Sequence, residues 1–226
     1  MNSFSKTAPF ISLAGLVLLT ACGGGTGTTP APIHTAFPGT DTGAQAVNIT
    51  LENHGGVMEG HTPRGFQGMG AGLFAGDNLN RNFPDGDGVQ IFLTFDVSGI
   101  PQGKVQSAVL SSARASVTGT PFKDLGALRA EEVRYARFSS ALWDLTPVEN
   151  GAKCILAQSA SGPFQCDLSG AVQRSLEDSY RYAQFRVRFD EAGDRDGSQD
   201  LAAFFKRDSN TNEPGIFLLD VTVLPD

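Results

Sequence analysis

The stretch YAQFRVRF, Tyr182–Phe189, decides the fold class. Phe185, Val187 and Phe189 share one parity, while Gln184, Arg186 and Arg188 share the other. Successive side chains of a strand point to opposite faces, so this alternation is the signature of a half-buried β-strand. Working outward, similar patterning runs through 46–52, 89–97, 105–118, 126–138, 152–158, 201–207 and 216–224, with turn residues between. Many strands at this spacing and little helical periodicity predict an all-β chain folded as an antiparallel, jelly-roll-like sandwich. One short helix is expected over about 169–179. There Leu168, Val172 and Leu176 recur every four residues, and Asp167 or Ser169 can cap the first turn.

The sandwich is expected to occupy residues 46–226. Residues 53–88 break its pattern: they carry ten glycines and few β-branched side chains. They read as a long excursion from the sheets, and an excursion of that length is commonly functional.

The N-terminus has the composition of an export leader. Lys6 supplies positive charge, Phe10–Leu19 is apolar, and Thr20 and Ala21 are small. Ten apolar residues are too few to span a bilayer as a stable helix. The quartet Leu19-Thr20-Ala21-Cys22 resembles the bacterial lipobox, in which the leader (here 1–21) is cut and the cysteine is lipidated. The alternative is an ordinary secretory signal with an accidental cysteine. Acyl chains on Cys22 would hold the chain to a membrane, because each buried methylene contributes about 0.8 kcal/mol. Gly23 after the cysteine favours, by the same resemblance, an outer-membrane destination. Residues 22–45, rich in Gly, Thr and Pro, read as a flexible tether.

Cys154 and Cys166 remain after Cys22 is used. Between them lies Ser161-Gly162-Pro163, a turn signal, and an exported chain meets an oxidising compartment. A disulfide is expected; the alternative is a cysteine pair on a metal, for which neither cysteine has a further ligand at suitable spacing. Net charge is −7, and one unit more negative without Lys6. That charge disfavours nucleic acid as a partner and accommodates small cations.

Several segments in order resemble one family. They are FLTFDVSGIPQGKVQSAVL (92–110), the Trp of SSALWDL (139–145), CDLSGAVQRSLEDS (166–179), QFRVRFDEAGDRDGSQDLAAFF (184–205) and PGIFLLDVTV (214–223). Together they are similar to the DNRLRE-type β-sandwich modules of bacterial surface proteins, relatives of carbohydrate-binding jelly rolls. The resemblance covers about Val89–Leu224 and its motifs are structural, so it implies fold more strongly than function. It raises a cell-surface glycan as a partner. Trp143 and Tyr135 are the candidate stacking rings, although one Trp and three Tyr against 16 Phe make a thin supply of such platforms.

Two clusters point to metal chemistry. His34, His54 and His61 are the only histidines, and Met58 and Met69 lie close by in a glycine-rich setting. Imidazole with thioether suits copper, and a three-ligand site with an open position could support superoxide-dismutase-like redox work. The second cluster, FDEAGDRDGSQD, offers Asp190, Asp194, Asp196 and Asp200 as oxygen ligands for calcium, with a plain solvated hairpin as the alternative. NFPDGDG, with Asp85 and Asp87, is a lesser copy. No GxSxG elbow, P-loop or dinucleotide fingerprint is present. The reading is a lipid-anchored envelope β-sandwich acting as a binding or structural component of a surface assembly, with envelope or surface-layer proteins as partners. A copper redox protein and a carbohydrate-binding module are the alternatives.

Overall fold

The computed structural model describes residues 45–66, 72–77, 88–112, 115–194, 196–205 and 216–226, all within the compact unit Thr42–Asp226. Cys22, His34, Met69, Asp85 and Asp87 lie outside the described residues.

In chain order the strands are β1 (Val47–Glu52), β2 (His54–Glu59), β3 (Thr62–Phe66), β4 (Leu73–Asp77), β5 (Val89–Asp96), β6 (Gly103–Ser112) and β7 (Ala115–Thr118). A four-residue helix α1 (Pro121–Asp124) precedes β8 (Leu128–Glu132), and a 3-10 turn covers Ser140–Leu142. Then come β9 (Lys153–Ala157), β10 (Gln165–Asp167), α2 (Ser169–Glu177), β11 (Tyr182–Phe189), β12 (Asp200–Phe204) and β13 (Phe217–Pro225). They form two antiparallel sheets. The smaller has the order β1-β13-β6-β10; the larger runs β7-β12-β4-β5-β11-β8-β9, with β2 on β5 and β3 on β2.

The core fills the space between the sheets, as a sandwich requires. Leu110, Leu219, Val221 and Val223 come from the smaller sheet, and Ile91, Leu93, Phe185 and Val187 from the larger; all are buried. The rings of Phe204 in β12 and Phe217 in β13 stand 4.9 Å apart and join the two layers directly. Helix α2 closes the sandwich by burying Ala171, Val172 and Leu176 in the same core. Leu168 is its N-cap and makes no side-chain cap bond; one residue earlier, Asp167 Oδ1 accepts the Ser169 N–H at 3.2 Å, while the Ser169 hydroxyl accepts from the Ala108 N–H at 2.8 Å.

Four differences from the sequence reading have physical causes. The excursion expected over 53–88 supplies three strands to the larger sheet. Its glycines serve close backbone approach: a Cβ on Gly55 would stand 2.1 Å from the Phe92 carbonyl oxygen, and one on Gly76 would stand 2.0 Å from that of Asp200. The chain enters this region at buried Asn53, whose Oδ1 accepts the Phe217 N–H at 2.9 Å before β2 joins the other sheet. Next, the segment read as one strand over 105–118 divides into β6 and β7, which belong to different sheets. A second, short helix, α1, also follows β7, with Pro121 at its first turn.

The fourth difference concerns the opening stretch itself. Gln184 and Arg186 of β11 are buried, although their parity predicts a wet face. The strand expected over 126–138 ends at Glu132, and the chain beyond it lies across the outside of the larger sheet. Val133, Leu142, Tyr135, Phe138, Trp143 and Leu145 pack there on Phe92 and Met58 as a second apolar cluster. Beneath it, Arg186 Nη2 donates to Glu131 Oε2 at 2.6 Å and Nη1 to the Leu145 carbonyl at 2.9 Å. Satisfied in this way, a guanidinium is tolerated inside.

Candidate metal centre

The acidic cluster is built at one end of the larger sheet's β7-β12-β4 corner, where β4 and β7 end and β12 begins. Asp200 opens β12 and pairs in register with Asp77, the last residue of β4. Both are buried, Asp200 at 1 % exposure and Asp77 at 5 %. Two carboxylates directly opposite on neighbouring strands repel each other. Gly119, at φ +71°, turns the chain after β7 so that the Thr120 N–H donates to Asp200 Oδ1. A Cβ at position 119 would stand 2.4 Å from that same oxygen, which ties the turn to glycine. The Thr120 hydroxyl donates to Asp124 Oδ2 at the end of α1.

The connection from β11 to β12 brings in the remaining acids. Asp194 Oδ1 accepts the Asp196 N–H at 3.1 Å, and Asp196 Oδ1 accepts the Ser198 N–H at 2.6 Å. Oxygens of Asp124, Asp194 and Asp200 all lie within 4.8 Å of one another. Burial raises the Asp77 carboxyl above its usual range, and the charges of Asp194, Asp200 and Asp196 raise it further; the Asp194 N–H offsets part of this. Asp200 Oδ2 is buried and accepts no hydrogen bond among the described residues.

Of the four aspartates read from the sequence as calcium ligands, the structure therefore gathers Asp194 and Asp200. Asp196 stays close enough to act on Asp77 through its charge. Asp190 goes elsewhere: it pairs with Arg129 and accepts the Ala127 N–H at 2.9 Å, and these hold its carboxyl below the usual range, Arg129 foremost. Asp124 and Asp77 were missed because they arrive from other elements. The Thr120-Pro121 pair marks a helix start, yet nothing in the sequence aims that helix at residue 200.

The described members of the copper set do not converge. His54 and His61 lie at and just beyond opposite ends of β2, whose six residues span about 17 Å at about 3.3 Å each. Met58 between them is fully buried in the second apolar cluster. His61 Nε2 lies 3.1 Å from Asp144 Oδ2 on the surface, and its ring is 5.8 Å from Trp143.

The two candidate stacking rings also differ. Trp143 is half-buried beside His61. Tyr135 meets Phe92 edge-on at 5.9 Å and shares a 2.8 Å hydrogen bond with the Thr94 hydroxyl. Tyr135 packs against the second apolar cluster, and this burial pushes its phenol up to about 12.

Cys154 of β9 and Cys166 of β10 stand at disulfide distance, Cα to Cα 5.9 Å. They link the outermost strand of the larger sheet to the outermost strand of the smaller one. Compared with protein-family models and with curated proteins, the chain matches none.

Proposed function

We propose that this chain is a lipid-anchored cell-envelope protein whose β-sandwich serves as a binding or structural component of a surface assembly. The observation that carries the reading is the Cys154–Cys166 pair, which staples the edge strands of the two sheets. Such staples persist in oxidising compartments outside the cytosol. The lipobox-like Leu19-Thr20-Ala21-Cys22 and the Gly/Thr/Pro-rich tether support the anchoring half of the reading. The resemblance to DNRLRE-type surface modules supports the assembly half. In intact cells, chemical cross-linking before membrane solubilisation is expected to shift the protein into a defined larger species. Cys22→Ala should remove it from the membrane fraction and abolish that species. A chain that stays monomeric after cross-linking contradicts the assembly reading.

Glycan recognition is the second reading, favoured by one observation. Half-buried Trp143 lies beside the His61–Asp144 pair, which places a flat ring next to polar groups at the surface. Glycan-array binding that is lost in Trp143→Ala supports it; an array without signal ends it.

A further inference from the structure

We propose that Asp124, Asp194 and Asp200 form a binding site for a hard divalent cation of the calcium class. The site would tie α1 to the β11–β12 connection. Two oxygens on one calcium, each bonded at 2.3–2.6 Å, stand at most about 5 Å apart. The three carboxylates meet that limit, with oxygens within 4.8 Å of one another. They are therefore close enough to share one ion.

Asp200 supplies the independent evidence. The residue is 1 % exposed, and Oδ1 is held by the Thr120 N–H. Oδ2 is buried and has no donor among the described residues. A buried carboxylate oxygen without a partner is costly, and a bound cation is the partner that this position lacks. The site is graded from floor to mouth: Asp200 is buried, Asp124 intermediate and Asp194 exposed. An ion can enter past Asp194 and keep waters toward solvent, which suits the six to eight oxygens calcium takes.

The donor set is all oxygen, which selects calcium-like ions over copper or zinc. Asp77, opposite Asp200 on β4, adds a fourth negative charge at the rear. The Lys123 ammonium lies 3.1 Å from Asp124 Oδ1, but at 82 % side-chain exposure it is a weak competitor. The assignment is independent of the anchoring reading, and either can fail alone.

The test uses the full-length protein in detergent micelles, stripped with EDTA and melted with calcium, magnesium or sodium chloride at matched ionic strength. At about 10 mM, well above the 10⁻⁴–10⁻³ M typical of extracellular sites, calcium should raise Tm by about 5–10 °C. Magnesium and sodium should give less than a third of that. Asp194→Asn, at an exposed position, should lose the calcium shift and melt no lower than wild type in EDTA, because one repelling charge is gone. Asp190→Asn, whose carboxylate serves Arg129, should keep the shift. Equilibrium dialysis should find one calcium per wild-type chain. The proposal is overturned by no calcium shift, by a shift that magnesium or sodium matches, or by a shift retained in both Asp194→Asn and Asp124→Asn.

Discussion

Arg186 of β11 and Glu131 of β8 form an ion pair at 2.6 Å in which both side chains are buried beneath the chain that follows β8. The Arg188 Nε also donates to Glu131 Oε2, at 3.2 Å. Removing Glu131 strands Arg186 inside, whereas removing Arg186 leaves Glu131 paired with Arg188. Glu131→Met should cost about 3–5 kcal/mol in urea unfolding, and Glu131→Met with Arg186→Met should recover much of it. A single substitution costing under about 1 kcal/mol would mean that the outer face is wet.

The cross-sheet staple gives a second expectation. Closing the loop between Cys154 and Cys166 should stabilise the fold by about 3 kcal/mol. For a domain of this size, Cys154→Ser with Cys166→Ser should lower Tm by about 6–12 °C. Melting with and without a reductant checks it, since the double variant should be indifferent to reductant.

Contact between the layers depends on few rings. Phe217 is fully buried against Phe204, so Phe217→Ala should cost about 3–5 kcal/mol and Phe217→Leu distinctly less. Equal costs for the two would show that cavity volume does not govern this position.

Two carboxyls make opposite contributions to the pH dependence. Asp77 holds its proton more tightly in the folded chain than the usual 3.8 implies. Its contribution is therefore full below that value and is lost as pH rises through its native value. Asp77→Asn in EDTA should stabilise the protein at pH 7 and lose that advantage toward pH 4. Glu131 behaves in reverse. Burial alone would raise it, but hydrogen bonds from Arg188 and Arg186 outweigh burial and hold it below 4.5. Its contribution is present above 4.5 and is lost as pH falls through the native value. Chemical denaturation across pH 3–8 for wild type and Asp77→Asn checks both signs.

The elements whose own residues decide their conformation were legible in the sequence. β11 falls on Tyr182–Phe189 as its alternation requires, and α2 starts at Ser169 where the four-residue apolar spacing places it, although its N-cap is Leu168 and not Asp167 or Ser169. What was hidden depends on distant chain. The polar parity of Gln184 and Arg186 is ordinary for a wet face, and only the cover from Val133 to Leu145 turns it into a second interior. Glycines 55 and 76 read as loop residues because low β-propensity masks their use under a neighbouring carbonyl. Likewise, the acidic run from Asp190 to Asp200 was visible as a cluster. Its division between Arg129 and the Asp124 corner needed three dimensions.

The most direct test of the central claim is mass spectrometry of the N-terminal peptide from membrane-extracted protein. The account predicts a chain beginning at Cys22, with a thioether-linked diacylglycerol on that sulfur. An intact Met1 with a free thiol at position 22, in protein recovered from the cytosol, would contradict it.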